Sequence, residues 1–161
     1  MLLQGACLGM AARHMASVRE KVSAAEVARV LLVEGDVTTR LTLQAVLKAS
    51  GYSVDSAASA PEAMDKLERE EYALVLCGLR PETQEECRRV VNHARAQEYK
   101  PATAFLTTSG SEGKRPKSER VLIEPLEVPA LLTKIADLLA DRAAGRERRN
   151  MRRRKVDLVP N

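Results

Sequence analysis

The apolar positions of this chain form two kinds of run. Arg29-Val30-Leu31-Leu32-Val33, Tyr72-Ala73-Leu74-Val75-Leu76-Cys77, Pro101 to Thr107 and Val121-Leu122-Ile123 are short and almost continuously apolar. Such runs predict strands buried on both faces, as in parallel sheets covered by helices. Tyr72 to Cys77 is the most apolar and should be the central strand; Tyr52-Ser53-Val54-Asp55-Ser56-Ala57 reads as a further, less apolar strand.

Between these runs the apolar residues recur at helical spacing. Thr38 to Ser50 places Leu41, Ala45, Val46 and Ala49 on one stripe with Leu43 and Leu47 beside it, and Gly51 then stops the helix. Ser59 is suited to cap the next helix, with Pro61 and Glu62 in its first turn and Ala63, Met64 and Leu67 facing inward. Glu82 to Gln97 turns Cys87, Val90, Val91 and Ala94 inward, and Val128 to Leu139 carries Leu131, Leu132, Ile135, Leu138 and Leu139. One helix is missing from the alternation: Ser109 to Lys117 is polar and broken by Gly and Pro, which predicts a loop and a shortened or absent fourth helix. The pattern is α/β, a doubly wound five-stranded parallel sheet with right-handed crossovers. Ligand chemistry in such sheets sits at the carboxyl ends of the strands. That directs attention to Glu34-Gly35-Asp36, Gly78, Thr107-Thr108 and Glu124-Pro125.

With 161 residues the chain suits one domain, a body over residues 28–140 with a flexible leader (1–27) and a C-terminal tail (141–161). The net charge of +4 belongs to the tail: residues 141–161 hold eight Lys/Arg against three Asp/Glu, and the remainder is close to neutral. One Phe, three Tyr and no Trp leave an aliphatic core and no stacking platforms for single-stranded nucleic acid. Cys7, Cys77 and Cys87 have neither zinc-ligand spacing nor an even disulfide count, so a reducing cytoplasm is expected. No apolar run approaches the roughly 20 residues that cross a bilayer, and Met1 to Met10 is a poor secretory signal.

The strand ends carry a resemblance. Leu31-Leu32-Val33-Glu34-Gly35-Asp36 with Arg40, Tyr72 to Pro81, Leu106-Thr107-Thr108 and Ile123-Glu124-Pro125-Leu126 occur in the order and spacing of a response-regulator receiver domain. The chain resembles that family from about Arg29 to Leu139. The resemblance implies a flavodoxin-like fold and a place in two-component signalling. In a working receiver an aspartate accepts a phosphoryl group beside a divalent cation, a lysine pairs with the acyl phosphate, and a hydroxyl senses it.

Here the acceptor position is Gly78, Gly35 stands where a second metal-binding acid is usual, and Glu124 replaces the lysine. Thr107, or Thr108 by a one-residue shift, keeps the hydroxyl, and Pro81 lies one residue closer to the acceptor position than is usual. The pocket Glu34, Gly35, Asp36, Gly78, Thr107, Thr108, Glu124, Pro125 therefore reads as degenerate. The expectation is no catalytic residue, no metal and no cofactor. Glu34, Asp36 and Glu124 are expected to be solvated, and Glu124 could instead pair with Arg80 or Lys114. Asp55 and His93 are expected at the surface, and Cys77 as a buried, unreactive thiol.

The expected role is a phosphorylation-independent module that binds a protein: a kinase, a regulator, or a second copy in a homodimer, with no membrane contact. The alternative is a nucleic-acid-associated regulator, with the body as dimerisation scaffold and Arg148, Arg149, Arg152, Arg153, Arg154 and Lys155 as the contact. The default for that basic run is a solvated helical extension or a disordered end.

Overall fold

A computed structural model describes residues 27–107, 122–123 and 128–157. The elements run β1 (Arg29–Val33), α1 (Val37–Ala49), β2 (Ser53–Ala57), α2 (Ala60–Arg69), β3 (Leu74–Leu79), a 3-10 turn (Pro81–Thr83), α3 (Gln84–Ala96), β4 (Ala102–Thr107), β5 (Leu122–Ile123) and α4 (Val128–Asp157). The five strands form one parallel sheet in the order β2-β1-β3-β4-β5. Chain order reverses between β1 and β3, which opens a crevice at their carboxyl ends. The stretch expected to lack a helix, Thr108 to Arg120, lies outside the described residues.

Alternation along the strands divides the core in two. Leu31, Val33, Val75, Cys77 and Phe105 face α2 and α3, meeting Ala63, Leu67, Cys87 and Val90. Val30, Leu32, Leu74, Leu76, Ala104 and Leu106 face α1 and α4, meeting Leu43, Leu47, Leu131 and Ile135. The core is aliphatic apart from Phe105 and the ring of Tyr72. The Tyr72 hydroxyl donates to Asp55 at 2.9 Å, and Arg29 pairs with the same carboxylate, also at 2.9 Å. Asp55 is thus a tie between β1, β2 and the start of β3, not the free surface acid that the sequence suggests. His93 is likewise half-buried, 3.4 Å from Glu68.

Caps set the helix limits. Asp36 accepts the Thr39 amide at 2.8 Å to start α1, and Ser59 with Pro61 starts α2 as expected. After α1 the chain turns at Gly51, whose φ of 94° is readily adopted only without a Cβ. The inner face of α1 differs from expectation: Leu43 and Leu47 are buried, while Leu41, Ala45 and Ala49 are exposed. Leu41, Ala45 and Ala49 lie on the opposite side of the helix from Leu43 and Leu47, while Val46 of the expected stripe is half-buried at the edge of the inner face. Burying the two leucines removes more apolar surface than burying one leucine and two alanines.

The amphipathic helix expected over Val128 to Leu139 opens α4, which runs 30 residues to Asp157 and passes through the basic segment without a break. Of the two defaults for that segment it is the helical extension that forms. Arg, Glu, Lys and Met supply every residue of 146–155 except Asn150, and all four favour helix. Arg142 bonds the carbonyl oxygens of Tyr99 and Lys100, each at 3.0 Å, and from Arg146 to Lys155 every residue is exposed. Gly145 is the weak point of this extension. An added Cβ there would meet only Arg149 Nη1, at an ordinary 3.6 Å. Gly145→Ala is expected to stabilise α4 locally by about 1 kcal/mol, read as a gain in helical circular dichroism. Among the described residues no helix is long and apolar enough to cross a membrane.

Candidate functional site

The site lies at the carboxyl ends of β1, β3 and β4. The register Val33↔Cys77 between β1 and β3 places Glu34, the next residue of β1's chain, beside Gly78, while Thr107 closes β4 opposite Leu79. Gly78 lies within β3 and not just beyond it, because the strand starts two residues later than the apolar run and continues to Leu79.

Glu34 is the one charged side chain buried among the described residues, 6% exposed, which corrects the expectation that it is solvated. Its carboxylate fills the space that a side chain at position 78 would need: a Cβ built on Gly78 would collide with Glu34 Oε2 and lie 2.9 Å from its Cδ. Two contacts hold it there. Oε1 accepts from Arg80 Nη2 at 3.1 Å and from the Asp36 amide at 2.9 Å. A buried carboxylate is tolerated when paired and hydrogen-bonded in this way. Among the described residues Arg80 pairs with Glu34; the pairing of Glu124 with Arg80 or Lys114 that the sequence leaves open falls on residues that are not described. Thr108, Glu124, Pro125 and Lys114 lie outside the described residues.

The remaining acid of the cluster is also engaged. Asp36 accepts both the amide and the hydroxyl of Thr39 at 2.8 Å, and those bonds hold its carboxyl below the ordinary range. Arg40 donates to the Glu34 carbonyl oxygen at 2.8 Å and so braces the same loop, while Gly35 is exposed.

Beneath the carboxylate, the Cys87 thiol donates to the Gly78 carbonyl oxygen at 3.0 Å. Cys77 is fully buried next to it; its hydrogen bond to Cys87, burial and the nearby Glu34 charge all push its thiol well up, so it remains protonated. The cleft bounded by Glu34, Cys77, Gly78, Arg80, Thr83 and Cys87 has a volume of about 60 Å³, space for a few waters. Arg80 and Cys87 carry much of this arrangement; the sequence reading offered Arg80 only as a partner for Glu124 and gave Cys87 no role beyond the core. The signal for Arg80 was present: a cation two residues past Gly78 on the strand adjoining a buried acid.

No family model and no curated protein matches the chain. Solved structures do. A receiver domain protein from Methanospirillum hungatei is 20% identical with a TM-score of 0.61, covering 74% of this chain and 99% of its own. This is the receiver fold. A putative response regulator from Chloroflexus aurantiacus, 25% identical with a TM-score of 0.57, covers 71% of this chain and 99% of its own. NtrX from Brucella abortus, solved in complex with ADP, aligns with a TM-score of 0.69 at 17% identity over 84% of this chain but only 31% of its own. The strand order β2-β1-β3-β4-β5 and the crevice between β1 and β3 are thus those of receivers, and Gly78 and Glu34 sit at that crevice.

Proposed function

We propose that the chain is a pseudo-receiver of two-component signalling, a cytoplasmic module that acts by binding a protein partner and is not an enzyme. One observation carries the reading: the place for an acceptor side chain over Gly78 is filled by the carboxylate of Glu34, tied to Arg80. A phosphoryl group transferred to a receiver needs a carboxylate nucleophile in line with it and a cation on its oxygens. Gly78 offers no nucleophile, and Glu34 has its Oε1 committed to Arg80 and the Asp36 amide.

The divalent cation that receivers use does not suit these residues. A hard cation takes several free oxygen ligands. Here one carboxylate is neutralised by a guanidinium and the other caps α1. In sequence, Glu124 in place of the lysine adds repulsion where a phosphoryl group would be held. What remains is a rigid scaffold whose surfaces can bind a kinase, a regulator or a second copy.

Incubation of the full chain with acetyl phosphate and magnesium is expected to leave its intact mass unchanged, and magnesium alone to leave its thermal midpoint unchanged. A gain of one phosphoryl mass on an acidic residue of the crevice would overturn the reading.

A further inference from the structure

The exposed half of α4 is a feature that the receiver body does not use. From Arg146 to Lys155 the helix carries seven basic residues and one acid, Glu147. Among the described residues no carboxylate forms an ion pair with any of the seven. At about 100° per residue, Arg146, Arg149 and Arg153 continue the face that buries Leu131 and Ile135 lower in the same helix. Arg148, Arg152 and Lys155 adjoin them, so six of the seven basic groups occupy about half of the circumference. The opposite side holds Glu147, Asn150, Ala143, Ala144, Met151 and Arg154.

This arrangement is unfavourable for an isolated helix. Arg148 and Arg152, and Arg149 and Arg153, are like charges one turn apart, and each such pair costs a few tenths of a kcal/mol. A polyanion removes that cost. We propose that this half of α4 is a contact for the backbone of double-stranded DNA, lying in the major groove with its arginines on the phosphates of both walls.

The geometry selects among polyanions. A bare helix is about 10–12 Å across and the B-form major groove about 12 Å wide, so phosphates line both flanks of a seated helix, matching a half-circumference of arginine. The major groove of duplex RNA is too narrow for this. A membrane-surface helix needs large apolar residues opposite its basic face, and here Met151 is the one large apolar side chain between Arg146 and Lys155. An acidic protein groove would ask for apolar anchors at helical spacing, which this segment lacks. The cationic face is dominated by charge, and the one amide, Asn150, lies on the opposite side, so phosphate contacts supply most of the affinity and binding depends little on sequence.

The test uses the full chain and a labelled DNA duplex of mixed sequence, about two helical turns long. Fluorescence anisotropy is expected to show binding near 10–100 µM at physiological salt, with the logarithm of the association constant falling against the logarithm of salt with a slope of about −5. The variant Arg149→Gln/Arg152→Gln/Arg153→Gln keeps helix propensity, checked by circular dichroism, and should reduce that slope by about 3 and weaken low-salt binding at least tenfold. Absence of binding at low salt, equal binding by the variant, or equally tight binding to an RNA duplex or to phosphatidylserine vesicles would each overturn the proposal.

Discussion

Gly78→Asp, the change that puts a carboxylate back at the acceptor position, is expected to destabilise the domain by about 3–5 kcal/mol. The new side chain must enter space held by the Glu34 carboxylate, which is buried and fixed by Arg80 and the Asp36 amide. Either Glu34 is expelled and its pair with Arg80 is lost, or two carboxylates share one low-dielectric site with a single cation. Two such groups cannot both stay ionised cheaply, so one carboxyl has its folded pKa raised. A raised folded pKa means that the penalty is full at neutral pH and shrinks as pH falls towards about 4–5, near the unfolded carboxyl range. Urea denaturation at neutral and acid pH reads this. Glu34→Ala in the same chain should recover most of the loss, because it clears the space and leaves Arg80 free for Asp at 78. A double-mutant cycle with no coupling between the two positions would show that Glu34 does not occupy the slot.

Ile135→Ala should cost about 2–5 kcal/mol, as for other large-to-small changes at fully buried sites. Ile135 is completely buried and, with Leu131, joins α4 to the face of the sheet formed by Leu74, Leu76, Ala104 and Leu106. Leu132, Leu138 and Leu139 pack against the same cluster while only partly buried, and from Arg146 to Lys155 every residue is exposed. Leu131 and Ile135, with the two carbonyl bonds of Arg142, are thus the main anchors of the helix on the sheet. The loss is expected in the global unfolding midpoint. A shift of only a few tenths of a kcal/mol, the size seen at exposed positions, would mean that α4 is anchored elsewhere.

The sheet was legible because most of its strands are continuous apolar runs whose flanking turns and caps are local signals: Gly51, Ser59 and Pro61 act where their chemistry predicts, and Asp36, read only as a pocket acid, also caps α1. Faces were harder. On α1 two stripes compete, and only the packed core decides that Leu43 and Leu47 go inward. The inner faces of α2 and α3 offered one stripe each and read correctly. The sequence leaves the end of α4 open between a solvated helical extension and a disordered end because the helix outlasts its apolar stripe; beyond Leu139 it is propensity, not burial, that continues the pattern.

At the pocket, the absence of a side chain at Gly78 could be read, but its consequence could not. Glu34 and Gly78 are 44 positions apart in sequence, and their exchange of volume exists only once the parallel register of β1 and β3 sets them side by side. A long acid and a missing side chain at one level of adjacent strands is a pattern visible in sequence only after the register is known. Arg80 became meaningful for the same reason.

The anchoring of α4 has a mechanical consequence. Arg142 bonds two carbonyls that lead into β4, and Lys155 lies thirteen helical residues further on, about 20 Å along the axis. A stiff rod clamped at one end acts as a lever with Arg142 near its fulcrum. Any sideways pull on the free end becomes torque at the start of β4, the strand whose other end, Thr107, borders the space around Glu34 and Arg80.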